Sequence, residues 1–95
     1  MQTGVALTRP IVRGDTTVAF VTLREPDAGA MRGLKLLDVM QMDVSALIRL
    51  IPRIAEPYLS EAEVALMGPA DIARLGMAVV GFFDGVAMGP DTPTT

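Results

Sequence analysis

The sequence predicts an α+β fold: an N-terminal β-hairpin followed by a small bundle of three to four helices. Three observations carry this. β-branched and apolar residues dominate the first 24 positions, and the apolar period turns helical after Glu25-Pro26. Pro, Gly, Ser and Asp then fall where helices start and stop. Ninety-five residues hold one core, drawn as a single domain over 1–88, with the hairpin at 5–24 and the helices at 27–88. The tail, 89–95, has nothing to bury and is expected to be disordered.

In the hairpin, Val5-Ala6-Leu7 and Pro10-Ile11-Val12 lead to Thr16–Leu23, a run rich in β-branched residues. Arg13-Gly14-Asp15 supplies the reversal, and turn chemistry explains that triplet better than adhesion does. Pro10 has no amide to donate, so the first strand must be an edge or be broken there. Asp27 is read as the cap of a helix through Ala30, Met31 and Leu34. Leu36, Leu37, Val39 and Met40 follow as an apolar patch around Asp38. With Gly29 and Gly33 in this stretch, one irregular helix and two short ones both fit.

Asp43 caps a clearer helix, in which Val44, Leu47, Ile48, Ile51, Ile54 and Ala55 recur at helical steps. Ser45, Arg49, Arg53 and Glu56 mark its polar face. Pro52 lies inside it and is expected to kink it, and Glu56-Pro57 ends it. Ser60-Glu61-Ala62-Glu63 is a capping box opening a short helix through Val64, Leu66 and Met67. Gly68-Pro69 closes that helix and starts the longest one, from about Pro69 to Val86, whose N-terminus Asp71 complements. Ile72, Leu75, Val79, Phe83 and Val86 form its core stripe. Met77, Val80 and Phe82 lie off the stripe, so this helix is apolar nearly all round from Leu75 onward. Gly76, Gly81 and Gly85 are poor helix formers that permit close backbone approach, within this chain or from another.

Composition excludes most chemistry. Cysteine, histidine and tryptophan are all absent, which removes disulfides, thiolate metal sites, a cysteine nucleophile and the usual base near neutral pH. Glu61 and Glu63 do not face each other on a helix, and Glu25 and Asp27 flank Pro26 where acids act as caps. No phosphate loop and no calcium loop occurs. The sequence therefore predicts no catalytic residue, no cofactor and no metal site. Net charge is −3, unevenly spread: seven bases against five acids over 1–53, and one base against six acids over 54–95. That mild polarity lacks the clustered basic face of a nucleic-acid binder. The most apolar stretch, Leu75–Met88, is too short for a membrane span and is interrupted by Asp84. No signal peptide is visible, so the expected location is the cytoplasm.

The run VTLREPDAGAMRGL (21–34), followed in order by LIPRIAEP (50–57), LSEAEV (59–64), GPADI (68–72) and VVGFF (79–83), resembles the tail assembly chaperones of Mu-like and P2-like phages and prophages. The resemblance covers about residues 5–84. It implies a small, mostly helical protein of the bacterial host cytoplasm that binds the tape measure protein. Such a protein keeps its partner soluble, helps recruit tail tube subunits, and is absent from the mature virion. A longer, frameshifted form of the same chain is a further implied partner.

Such a chaperone needs reversible apolar contact and no catalytic group. We place that contact on Leu75, Met77, Val80, Phe82 and Val86 of the last helix, with Met40 and Met42. The same residues would alternatively serve a homo-oligomer interface. Two other classes fit the residues: a structural tail or connector component, and a small adaptor module using the basic residues Arg24, Arg32 and Lys35.

Overall fold

The computed structural model describes residues 2–83. A long hairpin of β1 (Gln2–Arg13) and β2 (Thr16–Arg24) is followed by α1 (Leu36–Met40), α2 (Val44–Ile54), β3 (Ala55–Glu56), α3 (Glu61–Ala65) and α4 (Pro69–Gly81). The sheet is antiparallel in the order β1-β2-β3, so the α+β reading stands, with one strand more than the sequence suggested. Gly14, at φ +54, takes the first central position of the tight turn that joins the long strands.

β1 is an edge strand and its ladder is also broken, as Pro10 requires. Ala6 pairs with Phe20 and Ile11 with Val18, so four residues of β1 lie opposite Ala19 alone. The surplus is odd, and a strand's side chains alternate faces, so the facing set must change parity across the bulge. It changes on β2: Val21 and Leu23 are buried on one side of the bulge and Val18 on the other, leaving Ala19 and Phe20 exposed.

The helices cover the inner face of this sheet. Val5, Leu7, Val18, Val21 and Leu23 meet Ala46, Leu47, Leu50, Ile51 and Ile54 of α2, with Val39, Leu59, Val64, Leu75 and Val79 completing the core. Each such leucine, isoleucine or valine removed from water contributes about 1.5–3 kcal/mol. The α2 stripe follows the spacing read from the sequence, and the Asp43 carboxylate caps it by accepting from the Ala46 amide at 3.0 Å. Pro52 sits in the final turn of α2, where its missing amide is followed by two helical residues and then by β3. The direct passage into β3, antiparallel to Thr22–Leu23, fastens the end of α2 to the sheet. The Glu56-Pro57 peptide that follows is cis.

The stretch after Asp27 departs from expectation. Residues 28–34 form successive turns with amide bonds spanning three residues, and not a helix. The Asp27 cap is real, accepting from the Ala30 amide at 2.9 Å, but it opens these turns. Gly33 ends them in the left-handed region, at φ +82. Arg53 holds the segment from outside, donating to the carbonyls of Ala30 and Arg32 at 2.8 Å each, while Arg24 donates to the carbonyl of Arg53. The short α1 then ends in a Schellman arrangement: Asp43 N–H reaches the Asp38 carbonyl, and Met42 N–H the Val39 carbonyl. Met42 occupies the left-handed position there, φ 59, where glycine is usual.

The α3 capping box forms as read, Ser60 and Glu63 satisfying each other's amides at 3.0 and 3.1 Å. Glu63 does more than cap. Arg13, at the hairpin tip, donates Nε and Nη2 to its two oxygens at 2.8 Å each, and to the Tyr58 carbonyl as well. Helix α4 ends at Gly81, earlier than the Val86 expected, and Phe82 and Phe83 close it with bonds spanning three residues. Gly85, Val86 and the tail at 89–95 lie outside the described residues.

Asp71 is the least expected feature. It is 1% exposed, and its carboxylate leaves the helix N-terminus to accept from the Thr8 amide at 2.7 Å, the Thr8 hydroxyl at 3.0 Å and the Arg9 amide at 3.0 Å. Burial pushes its pKa up, but the hydrogen bonds from Thr8 and Arg9 outweigh that and hold it below the ordinary value. Arg13, aided by the Ser60 amide, holds Glu63 at about 2 against an ordinary 4.5.

Two tests follow from these contacts. Asp71→Ala strands the two bulge amides and should lower unfolding free energy by about 2 kcal/mol in urea titrations, with Thr8→Val recovering little of it. Both carboxylates have depressed folded-state pKa values, so their stabilisation is complete above the unfolded values and is lost as pH falls. Thermal melts should therefore be flat from neutrality to about pH 5 and weaken between 4.5 and about 2. Glu63→Gln should remove part of that slope.

Candidate interaction surface

The residues expected to meet a partner differ widely in exposure. Leu75 is a correction: it is 0% exposed, at the centre of the core, so in this fold it touches no partner. It lies on the inward stripe of α4 with Val79, at a four-residue step, and core membership satisfies it completely. Met77 stands at the opposite extreme, 66% exposed. Val80, Phe82 and Met40 are half-buried, and Phe82 packs against the core. Val86 lies outside the described residues.

Met42 has an internal use. Its side chain crosses Gly76 of α4 so closely that a Cβ there would sit 2.7 Å from Met42 Cε and 3.0 Å from Leu47 Cδ1. The close approach that glycine permits in α4 is thus made within this chain at Gly76, where α1, α2 and α4 meet. Among the described residues, no atom of another element lies within 4 Å of where a Cβ at Gly81 would be.

Sequence reasoning missed several exposed apolar residues: Leu66, Val12, Leu37, Leu36, Val44 and Tyr58. Leu66 had a signal. Gly68-Pro69 stops α3 so soon that Leu66 becomes its C-cap, beyond the one turn that Val64 buries. Val12 had alternation with Ile11, half-buried, but the bulge hid the strand's phase. Leu36 and Leu37 gave no cue, since the sequence pattern grouped them with the buried Val39.

Charges near these surfaces are largely committed. Arg13 and Glu63 pair, and Arg24 and Arg53 donate to backbone carbonyls at the surface. Among the described residues no three Asp, Glu, Cys or His gather to hold a metal ion, and no helix is long and apolar enough to cross a membrane. What the arrangement offers chemically is apolar contact.

Comparison with known proteins agrees with this chemistry. Residues 5–84 match the family described as phage tail assembly chaperone proteins, E, or 41 or 14. Tail assembly protein E of Escherichia phage P2 is 41% identical over 78 residues, covering 82% of this chain and 86% of the phage protein. Tail assembly protein E′ of the same phage is 41% identical over 78 residues, which is 82% of this chain and 55% of the relative. The chain thus spans about half the length of E′. No solved structure matches it. With its described fold covered almost end to end, the chain belongs to the phage tail assembly chaperone family.

Proposed function

We propose that this protein binds the tape measure protein in the host cytoplasm, keeps that long apolar chain soluble and helps bring tail tube subunits to it. The observation that carries this reading is the set of large apolar side chains left in water around a core that is already closed, Met77 on α4 and Leu37 on α1 among them. A closed core has no need of them, so their use is external. Methionine suits reversible contact with varied apolar segments, because its unbranched side chain repacks at little cost.

The contact surface on this reading runs over Met77 and Val80 of α4 and its C-cap Phe82, with Met40 of α1, two helices that touch. Family membership supports the role in tail assembly. A longer form of the chain, made by frameshifting, is a further proposed partner. E′ is in keeping with that, since an alignment of 78 residues makes up 86% of E but 55% of E′.

Co-expression with the tape measure protein tests the surface. Met77→Asp, at an exposed position, should stay folded by circular dichroism and recover about one tenth of the wild-type amount of tape measure protein. Val80→Asp should weaken recovery in the same direction, and undiminished recovery by both variants would move the contact elsewhere. The chaperone role makes a separate prediction: mass spectrometry of purified phage particles should detect tube and tape measure proteins and not this chain. Stoichiometric presence in particles would make it a structural component.

A further inference from the structure

The two most exposed of the large hydrophobic residues described, Leu66 at 84% and Val12 at 71%, lie far apart in sequence. One ends α3, and the other is in β1 next to the hairpin tip. They nevertheless line a single groove of about 300 Å³, together with Pro10, Ile11 and Met67. The bidentate Arg13–Glu63 pair brings the hairpin tip to α3 and so holds the two walls together.

The groove also has a definite charge. Two ionised side chains border it, Arg9 and Glu63. Both oxygens of Glu63 are already matched by Arg13 and the Ser60 amide. The Arg9 guanidinium, by contrast, makes no ion pair or hydrogen bond among the described residues; only its backbone amide is used, on Asp71. Its position is set by Gly68, where an added Cβ would lie 2.5 Å from Arg9 Nη1. The result is an apolar trough with one cation at its edge that no described residue answers.

We infer that this groove docks an apolar segment of the binding partner that carries a carboxylate beside its hydrophobic anchors, the anchors seating on Val12, Leu66 and Met67 and the carboxylate pairing with Arg9. Charge complementarity selects the acid: a basic or neutral polar group there would leave the guanidinium without a counter-ion in a partly dehydrated site. Met67 lets the trough adapt to anchors of different shape. The inference rests on the proposed role in binding the tape measure protein, and adds a second contact whose lining includes none of Met77, Val80, Phe82 and Met40.

The test is recovery of co-expressed, full-length tape measure protein by wild-type chain, Leu66→Asp and Arg9→Gln, at low and high salt. Leu66 is exposed, so its variant should keep the wild-type circular dichroism spectrum while recovery falls about tenfold. Arg9→Gln should reduce recovery about threefold at low salt, a difference that disappears at high salt because the ion pair is screened in the wild type too. Arg9→Lys should stay near wild type. Wild-type recovery by Leu66→Asp alongside loss by Met77→Asp overturns the groove and leaves the proposed function standing. Equal recovery by Arg9→Gln and wild type at low salt overturns the carboxylate. Failure of the wild-type chain to recover any tape measure protein overturns both.

Discussion

A buried carboxylate at the N-terminus of α4 accepts the amides of a strand that has no partner at that point. Pro10 and its neighbours interrupt the β1–β2 ladder, and the Thr8 and Arg9 amides turn away from β2. Left without acceptors beside the core they would oppose folding. Asp71 takes both, and the Thr8 hydroxyl, at 2.7–3.0 Å. The exchange works in both directions. The bulge amides give Asp71 the hydrogen bonds that its burial demands, and Asp71 fixes α4 across β1. Leu75 and Val79, one and two turns further along α4, then fall on the core, and Gly76 falls under Met42.

The remaining polar contacts repeat this logic at longer range. Arg13 binds the hairpin tip to α3, Arg53 binds α2 to the turns before α1, and Arg24 binds the end of β2 to α2. Each is an arginine that reaches a carboxylate or carbonyl on another element, where its planar fork gives direction as well as charge. These arginines tie elements together while staying at the surface, and apolar side chains such as Leu66, Val12 and Met77 face water beside them. In a member of the tail assembly chaperone family, these exposed large apolar side chains are the surface property of interest.

Much of this fold was legible because it rests on local rules. The tight turn at Gly14, the Asp43 cap, the α2 stripe, the Ser60–Glu63 box and Pro69 at the start of α4 each depend on residues within four positions of one another. The misreadings have equally particular causes. Asp27 does cap, but it opens three-residue turns that Gly33 ends in the left-handed region before a helix can propagate. Leu75 fits both the core stripe and the contact face by sequence, because a helix apolar nearly all round does not announce which side is covered. β3 is two residues long, and only its pairing with Thr22–Leu23 makes it a strand.

By itself, then, the sequence determined the class of fold, the positions of most helix starts, the absence of histidine and cysteine chemistry and, through five ordered runs of residues, the family. Tertiary structure alone decided what Asp71 and Arg13 bind, 63 and 50 residues away, which face of α4 is inward, and that Val12 and Leu66 share one groove. The reason is physical. Caps and stripes are set by backbone geometry over a turn or two, whereas a carboxylate's partner and a side chain's exposure depend on which distant element packs beside it.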